Sequence, residues 1–200
     1  MNTDNIYEQS LDQNQANFAH LTPLSFLERS ASVYPNRVSI IHGDTEYTWS
    51  QTYKRSCLLA SALQKMGIGK GDTVSFMGAN TPETFEAHFG VPMAGAVLNA
   101  LNVRLDAKAI AFILEHAETK VLFTDKEYSD TIKAVLEIVS NKPVVIDIDD
   151  PYFKGGELVG EKNYEEFIAQ GDDDYSCFQI EDEWQAISLN YTSGTTGDPK

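Results

Sequence analysis

Residues 191–200 read Tyr-Thr-Ser-Gly-Thr-Thr-Gly-Asp-Pro-Lys. Thr192, Ser193, Thr195 and Thr196 carry hydroxyls, Gly194 and Gly197 lie among them, and Lys200 follows three residues later. Glycine lets a backbone approach a bulky anion and reach turn dihedrals closed to other residues. Successive amide N–H groups can then form an anion-binding concavity. Hydroxyls add donors, and lysine adds a compact positive charge suited to phosphate. The chemistry these types and spacings fit is the holding of phosphate. A polar surface turn uses the same residue types, but the order Ser-Gly-Thr-Thr-Gly with a trailing Pro-Lys argues against it. A nucleoside-triphosphatase P-loop needs Gly, four residues, then Gly-Lys-Ser/Thr. Here Gly194 and Gly197 are only three apart and Lys200 follows Pro199. The Gly-x-Gly-x-x-Gly dinucleotide fingerprint is absent after the first strand.

Such a segment needs a scaffold, and the upstream pattern supplies one. Thr22-Pro23 predicts a helix start, with threonine as cap, ending near Tyr34-Pro35. Val38–His42 and Glu46–Thr48 read as a hairpin turning at Gly43-Asp44. Thr48 or Ser50 caps a long helix to Met66, with Tyr53, Cys57, Ala60 and Leu63 on one face and Gly67 as its stop. An alternation follows. Thr73–Met77, Gly95–Leu98, Val121–Thr124 and Val144–Ile148 read as strands. Thr81-Pro82 opens a helix with Phe85, Phe89 and Met93 spaced by four. Asp106 caps a helix bearing Ile110, Ile113 and Leu114. Ser129 caps another bearing Ile132, Val135, Leu136 and Val139. Strands separated by helices of this length imply right-handed crossovers. The fold class is therefore α/β, a mainly parallel, doubly wound sheet with flanking helices.

Composition narrows the function classes. The chain has 200 residues, and 42% apolar content is enough for a real core. A net charge of −15 argues against phosphate-contact binding of nucleic acid and against an anionic membrane surface. Between residues 147 and 183, thirteen acidic side chains face Lys154 and Lys162, so eleven of the fifteen excess charges fall there. This stretch reads as a solvated connection with one short helix around 163–169. Its carboxylates lack calcium-loop spacing. Cys57 and Cys177 lie far apart with no metal-ligand cluster, which favours a reduced setting. Residues 1–20 are polar, without a secretory core, and no apolar run is long enough to span a bilayer. The expected localisation is cytoplasmic. The expected organisation is a leader (1–20), an α/β core (21–150), an acidic connection (151–183), and a strand with the phosphate segment (184–200). His20, His42, His88 and His116 read as packing or surface residues, Trp49 as a helix-start packing residue, and Arg104 as a structural hydrogen-bonder.

Thr192-Ser193-Gly194-Thr195-Thr196-Gly197-x-Pro199-Lys200 resembles the phosphate-binding signature of the adenylate-forming superfamily, with Asp198 at the variable position. Tyr34-Pro35, Tyr47-Thr48-Trp49, the run from Gly67 to Asp72, and Asn80-Thr81-Pro82 occur in that family's order. The run from Phe89 to Leu105 is most similar to the medium- and long-chain fatty acyl-CoA ligase branch. The resemblance implies ATP-dependent joining of a fatty or short substituted carboxylic acid to coenzyme A through an acyl-adenylate. It implies ATP, Mg²⁺ and CoA as cofactor and co-substrates. It further implies that Ser193, Gly194, Thr195, Thr196, Gly197 and Lys200 hold the phosphates and that Thr192 touches the magnesium ion. The partners implied are small molecules, with no nucleic acid, no transmembrane segment, and a homodimer as an admissible assembly. The chain is similar to the first subdomain of the family's N-terminal domain, truncated at the phosphate segment. Residues 1–200 alone are expected to be inactive. Two alternatives stay open: an adenylation domain loading a carrier protein, and a non-catalytic truncated paralogue binding partners through its acidic segment.

Overall fold

A computed structural model of the chain describes residues 7, 9–14, 16–176 and 180–192. Helix α1 (Leu24–Val33) precedes a hairpin of β1 (Val38–His42) and β2 (Thr45–Thr48), which pair antiparallel. Then come α2 (Trp49–Lys65), β3 (Thr73–Met77), α3 (Pro82–Met93), β4 (Val97–Ala100), α4 (Ala107–His116), β5 (Thr119–Asp125), α5 (Ser129–Ile138) and β6 (Val144–Ile148). The described chain closes with β7 (Lys162–Asn163), α6 (Tyr164–Ile168) and β8 (Ser188–Leu189). Strands β3 to β8 form one sheet in the order β7-β6-β5-β3-β4-β8, and every pair in it is parallel.

The chain leaves β3 for β4 on one side, then returns to place β5 on the other side of β3. Right-handed crossovers then put α3 on one face and α4 and α5 on the opposite face. Alternation along the strands serves both layers. Val74, Phe76, Val121, Phe123 and Ile146 pack with buried residues of α1, α2, α3 and α6. Met77 and Leu122 pack with Ile110, Ile113, Ile132 and Val135 of α4 and α5. Each fully buried large apolar side chain contributes about 1.5–3 kcal/mol relative to exposure.

Local chemistry sets the ends of the elements. Thr48 caps α2 reciprocally: its hydroxyl accepts from the Gln51 N–H at 3.3 Å and Gln51 Oε1 accepts from the Thr48 N–H at 2.8 Å. Gly67, at φ +86°, ends that helix in the left-handed region. Asp106 caps α4 by accepting from the Ala109 N–H at 2.9 Å. Gly90 lets α3 press onto α2, since a Cβ there would meet Leu59 Cδ2 at 2.6 Å and the Ser56 carbonyl oxygen at 2.9 Å.

The structure corrects several sequence expectations. Pro23, not Thr22, is the cap of α1, although the Thr22 hydroxyl accepts from the Leu24 N–H at 3.3 Å. Strand β4 begins at Val97 rather than Gly95, because Gly95 (φ +87°) is used to leave α3. Ser129 does not cap α5. It is the buried first residue of that helix and accepts from the Glu157 N–H at 3.2 Å, while Asp125 caps the preceding 3₁₀ turn, Lys126–Tyr128. On α3 the buried face is Glu86, Ala87, Gly90, Val91 and Met93, whereas Phe85 and Phe89 are half-buried.

The acidic stretch is packed more closely than a solvated connection. Asp147 is buried and accepts from the N–H groups of Val159 (3.0 Å) and Gly160 (2.6 Å). Tyr164, Phe167 and Ile168 join the core. Asp149, Glu157, Glu165, Asp172 and Asp173 pair with Lys126, Lys133, Arg55, Lys65 and Lys54. The pairs with both partners exposed add little, about 0–1 kcal/mol each. The buried aromatic and aliphatic side chains hold the segment down.

Candidate functional site

Strand β8 leads to the segment expected to hold phosphate. It pairs with β4 through Leu98↔Ser188 and Asn99↔Leu189, and the Leu98 N–H donates to the Ile187 carbonyl at 3.0 Å. Tyr191 then packs on the face covered by α4 and α5. Its hydroxyl lies 2.6 Å from Nδ1 of His116, with the rings edge-on at 5.7 Å. Burial pushes the Tyr191 phenol up. Leu189, Tyr191, His116, Asp72 and Lys120 border a cleft of about 270 Å³. Thr192 follows and is exposed. Ser193, Gly194, Thr195, Thr196, Gly197 and Lys200, expected to hold phosphate, lie outside the described residues, as does Asp198. Of the predicted site residues, the structure therefore places Thr192 alone.

At β5 and β3 the carboxyl edge of the sheet, where open α/β sheets receive ligands, has a different character. Asp125 at the end of β5 is buried; Oδ1 accepts from the Glu127 N–H at 2.9 Å and Oδ2 has no partner among the described residues. Burial pushes its carboxyl up, and the charges of Asp150, Glu127 and Glu83 add to that. His42 Nε2 meets Asp150 Oδ1 at 3.0 Å, and the Tyr152 ring stands edge-on to His42 at 5.0 Å. Burial raises the Asp150 pKa, but the His42 contact and the Tyr152 N–H outweigh it and leave it lowered. A cleft of about 630 Å³ opens beside this edge between β1 and the start of α3, lined by Ile40, His42, Asn80, Thr84, Phe85 and His88. Carboxylates crowd the neighbourhood of Asp125, so a triphosphate there would meet repulsion, about 1 kcal/mol per charge pair at 4 Å in water and more where water is excluded. Among the described residues no group of three His, Cys, Asp or Glu side chains is arranged to hold a metal ion.

One buried network escaped the sequence reading. Arg55 on α2 donates from Nε to Glu86 Oε1 at 2.5 Å and from its two terminal nitrogens to Glu165 at 2.9 and 2.5 Å. The Tyr164 hydroxyl donates to Glu86 Oε2 at 2.8 Å. Glu86 is fully buried. The only sequence signal was a glutamate on the α3 face that also carries Ala87, Gly90 and Val91. Burial alone would lower the Arg55 pKa, but Glu165 and Glu86 outweigh it and raise it. Burial pushes Glu86 up to about 7, against the pull of Arg55 and Tyr164. Burial is the larger effect, and the guanidinium that opposes it is shared with Glu165. Because the folded-state pKa exceeds the unfolded value, Glu86 favours the fold fully below about pH 4.5, and that contribution is lost as pH rises to about 7. Every tenfold change in proton affinity between the two states is worth about 1.4 kcal/mol. Urea midpoints of the wild type are expected to fall across this window, and Glu86→Gln is expected to flatten the fall. An unchanged slope in the variant would assign the titration elsewhere.

Residues 27–200 match the sequence profile of the AMP-binding enzyme family. The chain belongs to that family. Among curated relatives, this AMP-binding chain is 46% identical over 200 residues to the peroxisomal trans-cinnamate:CoA ligase of Petunia hybrida, covering 92% of this chain and 35% of the relative. It is 47% identical over 196 residues to the peroxisomal benzoate–CoA ligase of Arabidopsis thaliana, covering 93% and 34%. The chain thus spans about a third of the length of the curated relatives it matches. Among solved structures, the anthranilate CoA ligase AuaEII with anthranoyl-AMP superposes with a TM-score of 0.80 at 22% identity, covering 94% of this chain and 35% of that one, a likeness of fold. The N-terminal domain of FACL13 from Mycobacterium tuberculosis gives 0.74 at 25% identity, covering 88% and 42%. The AMP-binding fold expected from sequence, a parallel sheet between helices, is the one observed.

Proposed function

We propose that the protein of which these residues are part is an ATP-dependent acid–thiol ligase. A substrate carboxylate attacks the α-phosphorus of ATP, the bond to the β-phosphate oxygen breaks, and pyrophosphate leaves with the electron pair. The CoA thiol then attacks the acyl carbon, loses its proton and displaces AMP. One observation carries the proposal: every position of the signature 192–200 is filled, inside a family match that runs to residue 200. Relatives named as CoA ligases for cinnamate, benzoate, and acetate or butyrate support it.

The roles follow from charge. An anion attacking a polyanion needs positive field and fixed donors, since catalysis here is mostly positioning and electrostatics. Gly194 and Gly197 let the backbone close on the β- and γ-phosphates. Ser193, Thr195 and Thr196 donate, and Lys200 neutralises the departing pyrophosphate. Magnesium binds phosphate oxygens and keeps part of its water shell. Thr192, by the family resemblance, would be the residue to touch a magnesium ion bound with ATP, which would supply positive charge to the phosphates. The carboxylic acid is small, in the range from short aliphatic to fatty or aromatic. A homodimer and a cytoplasmic location belong to this proposal, as does the division into 21–150, 151–183 and 184–200. Several relatives are named peroxisomal, so imaging of the tagged intact protein discriminates. No described helix is long and apolar enough to cross a membrane.

The test is thioester formation by the intact protein from ATP, CoA and a panel of acids, with AMP as co-product. Product with ADP instead of AMP would overturn the adenylate route. Residues 1–200 expressed alone are expected to form no acyl-adenylate, and measurable hydroxamate trapping from them would contradict this. Asp198 is expected to face away from the nucleotide. Asp198→Asn should leave the KM for ATP within about twofold, whereas removing a repulsion of about 1 kcal/mol would lower it several-fold.

A further inference from the structure

Strand β8 has a slender hold on the sheet. It is two residues long and pairs with β4 through Leu98↔Ser188 and Asn99↔Leu189. An average strand has about 5–6 residues. It stands at the sheet edge, with β4 its one neighbour among the described strands. Trp184, four residues before it, is 94% exposed and anchors nothing. Backbone pairing of this extent leaves the direction of the chain after Leu189 weakly set.

Tyr191 supplies the next attachment. It packs on the apolar layer of α4 and α5, and its hydroxyl lies 2.6 Å from His116 Nδ1. In the imidazole tautomer with its proton on Nε2, Nδ1 accepts the phenol O–H. His116 is the last residue of α4, and its ring stacks on Phe112, one turn earlier, at 5.6 Å and 22°. Ile110, Ile113 and Leu114 bury the same helix against the sheet. The imidazole is thus held by a packed element, and it holds Tyr191 twice, through the hydroxyl and through an edge-on ring contact at 5.7 Å. The next residue is Thr192. We propose that His116 is a positioning residue: through the Tyr191 hydroxyl it fixes the direction in which the chain leaves β8, and with it the place of Thr192. This rests on the proposed function, in which Thr192 opens the part of the chain that acts on ATP. Phosphoryl chemistry is mostly positioning, so a loosened approach to it is felt in the use of ATP.

Three variants of the intact protein separate the hydrogen bond from the packing. His116→Phe keeps a ring beside Phe112 and removes the nitrogen. His116→Asn returns a polar atom near the place of Nδ1. Tyr191→Phe removes the hydroxyl. The readouts are hydrogen exchange by mass spectrometry and steady-state kinetics. In His116→Phe the amides of residues 186–192 are expected to exchange about fivefold faster, the size of one hydrogen bond, while those of α4 and β5 hold. KM for ATP is expected to rise about fivefold with KM for the acid unmoved. Tyr191→Phe should reproduce both changes, the double variant should add nothing to either single one, and His116→Asn should restore most of the loss. Unchanged exchange in 186–192, equal loosening of α4 and β5, additive single effects, or KM values for ATP and acid that rise together would overturn the proposal. If His116→Phe does not fold, Tyr191→Phe is judged by the same criteria. A wild type that activates no acid with ATP defeats the ligase reading, while the exchange comparison still decides whether His116 holds Tyr191.

Discussion

Lys200→Ala in the intact protein is expected to lower kcat/KM for ATP by about 10²–10³, the range seen when one fixed electrostatic contact to a transition-state charge is removed. In the proposed role the lysine meets the charge that builds on the departing pyrophosphate, so most of the loss should fall on kcat rather than on KM. Lys200→Arg keeps the charge but replaces a compact ammonium with a planar fork, and is expected to recover only part of the rate. Gly194→Ala and Gly197→Ala act differently. They place a methyl where the backbone must close on phosphate, so KM for ATP should rise. A parent that turns over normally with Lys200 and both glycines replaced would remove the role assigned to the segment.

The second large effect is on stability. Arg55→Ala leaves Glu86 buried with only the Tyr164 hydroxyl beside it. Removing one partner of a buried ion pair costs about 3–5 kcal/mol. For a chain of this size that corresponds to a fall in Tm of roughly 6–20 °C. The loss should be smaller near pH 5, where Glu86 takes up a proton, than near pH 8. Replacing the network together, Arg55→Met with Glu86→Leu and Tyr164→Phe, should recover most of it, because apolar packing of similar volume is often neutral or better and no buried hydroxyl is left without an acceptor. Thermal unfolding at the two pH values checks all of this. A change under 2 °C for Arg55→Ala would show that the network holds little.

These two effects differ in how far the sequence could announce them. The proposed phosphate segment is linear: its reading rests on residue types and spacing within nine positions and needs no fold. The strands at Thr73–Met77 and Val144–Ile148 were equally plain, because compact, β-prone runs bounded by turn residues leave few other readings. Side-chain partnerships were not legible. Glu86 meets Arg55 from 31 positions away and Tyr164 from 78, and nothing local marks such a pair. The acidic stretch misled for the same reason. Its charge count suggested solvent, but Lys54, Arg55, Lys65, Lys126 and Lys133, which neutralise part of it, come from other elements. Boundaries slipped where two signals compete. Ser129 looks like a cap, yet Asp125 caps the turn before it and the serine hydroxyl serves Glu157 instead.

Exchange of labelled pyrophosphate into ATP by the intact protein, with a carboxylic acid present and CoA left out, tests the central claim most directly. The reverse of adenylate formation requires ATP, magnesium and the acid but no thiol. The account predicts exchange that depends on the acid and disappears in Lys200→Ala. Exchange that persists without any acid, or an acid-dependent exchange untouched by Lys200→Ala, would contradict it.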